Sequence, residues 1–335
     1  MRMAGNVQKK HWYCPSILTV FLFLLACDRS GSANGQARSA RTTRRDSMGV
    51  EPSSVRSVAM HVRPALVENS AAVMSARQPG VIFTINDSGN DPILFAFDTS
   101  GSDRGAWRVN GASNVDWESA ALGPCSGAAH PSGSCIYIGD TGDNQARHPS
   151  RAIYRVNEPD ANRATGSVSA DRLTYVYEDG PHDVEAMYVA RNGDILLITK
   201  RPLLDQTRRP RPALVYRMPA SAWGESKRVV AQLVDSLPIV PGSAPLREVT
   251  DASLSPDARH LAVRTYTQVF IFAADPASGR ILASAPPAIC NIVSLGERQG
   301  EGITWVNAAG RLAFTSEGRS APLYMANCPL PSEPR

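Results

Sequence analysis

The chain has 335 residues, of which 43% are hydrophobic and 20% are charged, a composition typical of a folded protein with a sizeable core. Its 25 glycines and 25 prolines disfavour a helical bundle and favour many short strands joined by turns. Three of the 35 basic residues, Arg2, Lys9 and Lys10, lie in residues 1–27, which contain no acid, so 32 basic residues face 31 acidic ones in the remainder. This balance argues against a nucleic-acid partner, which requires a large positive field.

The N-terminus has the pattern of an export signal. Lys9 and Lys10 precede an apolar run at 17–26 that is too short for a permanent span, so residues 1–27 are predicted to be a signal peptide. The run ends in Leu-Leu-Ala-Cys27, which resembles a lipobox. We therefore predict an exported lipoprotein, anchored in a lipid bilayer through acylated Cys27 and facing the periplasm or the cell exterior. The alternatives to lipoprotein processing are that the signal peptide is cleaved nearby without acylation, or that it stays uncleaved as a membrane anchor.

Residues 28–54 are rich in Ser, Gly and Arg and almost lack large apolar side chains, which predicts a flexible tether. Four cysteines follow it: Cys125, Cys135, Cys290 and Cys328. An even number in an oxidising compartment favours disulfides. Of three pairings, we favour the local pair Cys125–Cys135, which leaves Cys290–Cys328. The spacing does not suit a metal site built from cysteine.

A motif recurs five times in residues 55–330, the predicted folded domain. Each copy begins with a polar residue, has apolar or small residues two and four positions later, and continues into two further strand-like segments. The polar head residues are Ser70, Glu118, Glu185, Thr250 and Glu301. Their spacing suits four-stranded blades, so we predict an all-β fold, a β-propeller with five blades, six being the alternative. A β-sandwich would not explain the recurrence.

Alternation of apolar residues from Val58 to Val62 predicts one more strand, which would complete the last blade and close the ring. In a propeller the first strand of each blade lines the channel and the second returns antiparallel, so head residues and second-strand ends share one mouth. We therefore expect an inner ring of the five head residues. The polar side chains expected around this ring are Asp87, Asp140, Asp143, Asn144, Asp251 and Glu317.

Three glutamates on one axis repel one another unless they are protonated or neutralised by a cation. A ring of carboxylate and hydroxyl oxygens suits Ca²⁺, whereas zinc and copper would require histidine or cysteine. The alternative is a water-filled mouth whose glutamates bond to loop amides.

The order Ser, Glu, Glu, Thr, Glu, one residue per blade, resembles the calcium-activated apyrase nucleotidases, five-bladed propellers with a central Ca²⁺. The resemblance implies that Ser70, Glu118, Glu185, Thr250 and Glu301 bind calcium, with Asp251 as a substitute for Thr250. Short segments across residues 65–330, such as NDSG, GDTGDN and QGE, are similar to a family of uncharacterised secreted bacterial propellers in the style of propeller phytases.

Two basic residues, Lys200 and Arg264, end second strands at the same mouth, where they could hold an anion beside a divalent cation. The alternative is that they form structural ion pairs with the acids of the ring. One hypothesis is a calcium-dependent hydrolase of a small phosphorylated or otherwise anionic substrate. Glu118, Asp116 or Asp183 would then orient or deprotonate the attacking water. The second hypothesis is a non-catalytic binding or scaffold propeller with structural calcium and a protein partner. Sugar or lactone chemistry is the third.

Overall fold

The computed structural model describes residues 49–125, 133–162, 165–200, 207, 209, 211–225, 228–239, 247–283 and 285–332. The predicted signal peptide, Cys27 and the tether up to residue 48 lie outside the described residues. In the described part the secondary structure consists of β-strands and two short 3₁₀ helices, Ala220–Gly224 and Val293–Leu295. None of its helices has the length and apolar character that crossing a membrane requires. The predicted all-β class is confirmed.

The strands form five units of four antiparallel strands. Strand β1 (Ser53–Val58) comes first in the chain and joins the last unit. The first unit contains β2 (Val73–Met74), β3 (Val81–Ile85), β4 (Ile93–Asp98) and β5 (Asp103–Asn110). The second contains β6 (Trp117–Pro124), β7 (Ser134–Asp140), β8 (Arg151–Asn157) and β9 (Thr165–Tyr177). The third contains β10 (Val184–Val189), β11 (Ile195–Thr199), β12 (Ala213–Met218) and β13 (Val229–Leu237).

The fourth unit contains β14 (Val249–Leu254), β15 (His260–Thr265), β16 (Gln268–Ala273) and β17 (Ala288–Asn291). The fifth contains β18 (Gly300–Trp305), β19 (Arg311–Ser316), β20 (Leu323–Asn327) and β1. The last two units are separate four-stranded sheets, whereas the first three join into one 12-stranded sheet. They join because the long outer strand β9 pairs in parallel with β5 and with β13.

Burial along the strands shows how the units pack. Strands β3 and β11 are apolar apart from one threonine each and buried at every position, because both faces of the sheet are covered there. The outer strand β5 alternates between exposed and buried residues over most of its length, as expected when one face meets solvent. The inner strands therefore occupy the centre of the molecule.

Five hydrophobic cores separate the units, and each core combines side chains of two units. The cores include Phe83 and Trp117, Tyr137 and Leu197, Leu196 and Phe270, Ile271 and Phe314, and Phe97 and Leu323. The last of these joins the fifth unit to the first. The first strands show the same order, since β2 contacts β6, β6 contacts β10, β10 contacts β14, β14 contacts β18 and β18 contacts β2. Sheets packed face to face around common first strands have the architecture of a β-propeller.

The N-terminal strand lies earlier than the sequence pattern predicts. It spans Ser53–Val58 rather than Val58–Val62, and it pairs with β20 as the outermost strand of the fifth unit. Its residues are exposed up to Val58, so apolar alternation could not reveal it. Val50 also forms a parallel bridge with Cys290, so Val50 and Ser53, which we assigned to the tether, pair with the folded domain.

Both predicted disulfides are confirmed. Cys125–Cys135 links the end of β6 to β7 within the second unit, with a Cα–Cα distance of 5.1 Å. Cys290–Cys328 links β17 to the residue after β20, with a Cα–Cα distance of 5.5 Å, and thus ties the fourth unit to the fifth.

Candidate functional site

Four of the five head residues of the motif lie at irregularities of the β-bulge type. The register between first and second strands shifts at Glu118, Glu185 and Thr250, and between Gly300 and Ile303 around Glu301. In the first unit Ser70 follows an isolated bridge between Asn69 and Asn86. A bulge places an extra residue in one strand and changes the direction of its side chain. The repeated sequence motif therefore corresponds to a repeated backbone irregularity.

All five head residues are buried, but their neighbours differ. The Ser70 hydroxyl donates to the carbonyl of Glu68 at 3.4 Å, and the Thr250 hydroxyl donates to the carbonyl of Glu301 at 3.1 Å. Glu301 accepts a hydrogen bond from the Tyr266 hydroxyl at 3.4 Å. The two hydroxyls are thus already bonded to the backbone.

Glu185 is paired with a cation from the protein. The ammonium of Lys200, at the end of β11, binds the Glu185 carboxylate, and the two residues are 8% and 2% exposed. Burial lowers the pKa of Lys200, but the negative charge of Glu185 outweighs it and the pKa is raised. The Lys200 side chain consequently neutralises one glutamate of the predicted ring.

A group of three acids lies beside Glu185. One carboxylate oxygen each of Asp87, Asp116 and Glu118 lies within 4.8 Å of the others, and we call these residues the acid cluster. Asp87 follows β3, Asp116 precedes β6, and Glu118 is the bulge residue. Glu118 is buried, whereas Asp87 and Asp116 are half-buried, so the cluster has one side open to solvent. The three ring glutamates do not form such a group in the described part of the chain.

The acid cluster concentrates negative charge. Burial, followed by the charge of Asp87, raises the pKa of Asp116 to about 6. Burial, followed by the charge of Glu185, raises the pKa of Glu118 well above its usual value. Both shifts have the sign expected where carboxylates crowd together in a partly desolvated place.

Gly142 makes room for the acid cluster. A β-carbon at this position would lie 2.6 Å from Cγ of Glu118 and 2.7 Å from Cγ of Asp116, closer than such atoms approach. The cluster contains only carboxylate oxygens and contains neither histidine nor cysteine. This donor set suits a hard cation such as Ca²⁺ rather than zinc or copper. The residues present therefore fit a calcium ion.

The polar residues predicted around the ring have mainly structural partners. Asp140 accepts from the amide of Asp116 at 2.8 Å and pairs with Arg151 at 3.1 Å. Asp143 accepts from the amides of Arg147 and His148. Asn144 is exposed.

Asp251 and Glu317 also have partners within the protein. Asp251 is fully buried and accepts from the amides of Ala72 at 3.4 Å and Ile303 at 2.8 Å, so it joins the fourth unit to the first and the fifth instead of facing solvent. Glu317 accepts from the Gln299 amide group at 2.7 Å. Burial, followed by the charge of Glu301, raises the pKa of Glu317 to about 7.

Two residues predicted to be catalytic are also held in the interior. Arg264 is 0% exposed, donates to the carbonyls of Gly302 at 2.7 Å and Thr315 at 3.1 Å, and pairs with Glu297. Asp183 is 4% exposed and accepts from the amide of Asp143 at 2.9 Å. Arg264 therefore does not face an open mouth, and sequence analysis missed its partner Glu297.

Sequence analysis did not bring the three acids of the cluster together. Asp87 was expected in the surroundings of the ring, Asp116 as a catalytic carboxylate, and Glu118 both as a metal ligand and as a catalytic carboxylate. One signal could have joined two of them: Asp116 and Glu118 are two positions apart at the start of a strand, where such residues share a face. The position of Asp87 depends on the neighbouring unit, which local sequence does not specify.

Comparison with known proteins gave matches among solved structures only; no family model and no curated protein matches the chain. Glutaminyl cyclase of Myxococcus xanthus is 12% identical, with 84% of this chain and 99% of that chain covered and a TM-score of 0.45. The gluconolactonase XC5397 of Xanthomonas campestris is 13% identical, with 83% and 97% covered and a TM-score of 0.39. The Cps50 (Swd1) β-propeller domain of Myceliophteria thermophila is 11% identical, with 82% and 100% covered and a TM-score of 0.36. Likenesses this weak carry no argument about function.

Proposed function

We propose that this chain is an exported, closed five-bladed β-propeller that binds Ca²⁺ at the acid cluster and serves as a binding protein. The observation that carries the proposal is the convergence of three carboxylates within 4.8 Å in a space left by Gly142. Asp87, Asp116 and Glu118 would hold the ion, which would supply positive charge for oxygen ligands.

Ring closure is supported by the packing of the units. Each unit shares a hydrophobic core with the next, and the fifth shares one with the first. Pairing of β1 with β20 completes the fifth unit with a strand from the other end of the domain.

Export is supported by the two disulfides, which persist in oxidising compartments. Acylation of Cys27 and a bilayer anchor are part of the same proposal and rest on the lipobox-like sequence.

The ion pairs of the two basic side chains favour a binding role over catalysis. Lys200 pairs with Glu185 and Arg264 pairs with Glu297, so glutamates already neutralise the cations that would hold an anionic substrate. The second candidate, a calcium-dependent hydrolase, is favoured by the half-exposed side of the acid cluster, where an ion would keep positions for a ligand.

Calcium titration calorimetry of the chelator-treated protein tests the site. We expect calcium binding by the wild type and at least about a tenfold loss of affinity in Asp116→Asn, because one of few carboxylate ligands is removed. Asp91→Asn, which changes an exposed carboxylate paired with Arg108, is the control and should bind like the wild type. Unchanged affinity in Asp116→Asn together with a large loss in Glu185→Gln would instead favour the five-residue ring.

The same samples separate the two functions. Phosphate release from p-nitrophenyl phosphate and ATP is measured with Ca²⁺ and with chelator. Equal release by the wild type and Asp116→Asn supports the binding protein, whereas calcium-dependent release that Asp116→Asn abolishes supports the hydrolase.

A further inference from the structure

A second candidate site lies at the opposite ends of the first strands. A partly open cavity of about 850 Å³ is lined by the later residues of β2, β6, β10, β14 and β18. The acid cluster, by contrast, lies where β6 begins. The cavity is within the range of roughly 300–1,000 Å³ in which protein pockets hold small ligands.

The cavity walls are mainly apolar. They include Ala72, Leu122, Val189, Ala252, Leu254 and Trp305. The indole N–H of Trp305 donates to the carbonyl of Ser253 at 2.8 Å, and the Tyr188 hydroxyl donates to the carbonyl of Gly279 at 3.1 Å. Because these polar atoms are bonded within the protein, the walls present hydrocarbon and aromatic surface to a ligand.

Two arginines give the cavity a positive charge. Arg77 and Arg191 line it and are exposed, and the described lining contains no aspartate or glutamate. Neither guanidinium forms an ion pair with a carboxylate among the described residues; Arg191 donates to the carbonyl of Pro256 at 3.1 Å.

Two acids bond to serines of the lining and not to these arginines. Glu158 accepts from the hydroxyls of Ser75 and Ser134, and Asp257 accepts from the hydroxyl of Ser255 and the amide of Arg259. The two arginines therefore keep their charge available at an apolar cavity.

We propose that this cavity binds an amphipathic anion, a molecule with an apolar chain or ring and one carboxylate, phosphate or sulfate group. The apolar part would occupy the space between the first strands, and the anionic group would meet Arg77 and Arg191. Guanidinium groups bind such oxyanions through charge-assisted hydrogen bonds. The site differs in charge and position from the calcium site, so it does not depend on the proposed function.

Calorimetric titration with decanoate and decanol, which share an alkyl chain and differ in headgroup charge, tests the proposal. We expect the wild type to bind decanoate at least about tenfold more tightly than decanol, the effect of a charge-assisted hydrogen bond. Arg77→Gln combined with Arg191→Gln should abolish this preference, because the apolar contacts remain and the charges are lost. Leu254→Trp, which fills the cavity, should weaken both ligands.

Arg56→Gln combined with Arg108→Gln is the matched control, since both arginines are exposed on outer strands away from the cavity lining. This variant should keep the preference for decanoate. Equal affinities for the two probes in the wild type, no binding of either probe, or a preference that survives loss of Arg77 and Arg191 would each overturn the proposal. The arginine variants alter exposed side chains, so the test stands even where Leu254→Trp fails to fold.

Discussion

Glu118 and Glu185 occupy the same position in consecutive units, yet their surroundings give them different chemistry. Glu185 meets the ammonium of Lys200, whereas Glu118 meets the carboxylates of Asp87 and Asp116. The first arrangement is neutral without any ion, and the second gains most from a cation because like charges crowd there. A shared sequence motif therefore does not imply a shared role at every copy.

The buried pair of Lys200 and Glu185 should be strongly coupled. Removing either partner by Lys200→Met or Glu185→Leu leaves a buried group without its counterion, and we expect the free energy of unfolding to fall by about 3–5 kcal/mol in each single variant. The double variant should lose less than the sum of the two, because no uncompensated charge remains. Urea unfolding measures these changes. If the two single losses of unfolding free energy simply added in the double variant, the two side chains would not stabilise each other. The control is Asp91→Asn at an exposed ion pair, which should change the free energy of unfolding by less than about 0.5 kcal/mol.

The sequence was sufficient to find the head residues, because polar residues at a fixed place in a repeated apolar pattern are visible without a structure. It could not decide between two roles for the basic residues, which could hold an anionic substrate or pair with the ring glutamates. Lys200 pairs with the ring residue Glu185, whereas Arg264 pairs with Glu297, which lies outside the ring. Such pairings depend on distances between side chains from different strands, which periodicity does not encode.

At the scale of strands and loops, the β-bulges and one glycine position the acid cluster. The bulge at Glu118 interrupts the pairing of β6 with β7, and the loop after β7 brings Gly142 against the cluster. The three acids thus depend on backbone features of two strands and one loop. Bulges of this kind keep polar side chains at a defined place beside an otherwise apolar strand.

Gly142→Ala should weaken calcium binding with little loss of stability. The added methyl group would collide with the side chains of Asp116 and Glu118, which can move aside only by leaving their positions in the cluster. We expect at least about a tenfold loss of calcium affinity, comparable to loss of one carboxylate ligand. Calorimetry and thermal unfolding without calcium measure the two effects. The matched control is Gly224→Ala, where a β-carbon would contact nothing within 4 Å. Wild-type calcium affinity in Gly142→Ala would contradict the role proposed for Gly142.

At the scale of the whole molecule, the two ends of the folded domain meet in the last two units. Val50 bridges to Cys290 of β17, β1 pairs with β20, and Cys328 is bonded to Cys290. The sequence predicted the disulfide from cysteine number and spacing, but it misplaced the strand because β1 is exposed and lacks an apolar face. Covalent and strand pairing together therefore secure the place where the chain ends join.

The two disulfides should differ in how much they stabilise the fold. Cys290–Cys328 spans 38 residues and links two units, whereas Cys125–Cys135 spans 10 residues within one unit. Because the entropy that a cross-link removes from the unfolded chain grows with the logarithm of loop length, we expect the longer link to contribute about 1 kcal/mol more. Denaturant unfolding of Cys290→Ala with Cys328→Ala, compared with Cys125→Ala with Cys135→Ala, measures the difference. The fully reduced wild type is the control for packing that is lost with the sulfur atoms. If removal of Cys125–Cys135 lowered the free energy of unfolding as much as removal of Cys290–Cys328 or more, the longer link would not be the more stabilising one.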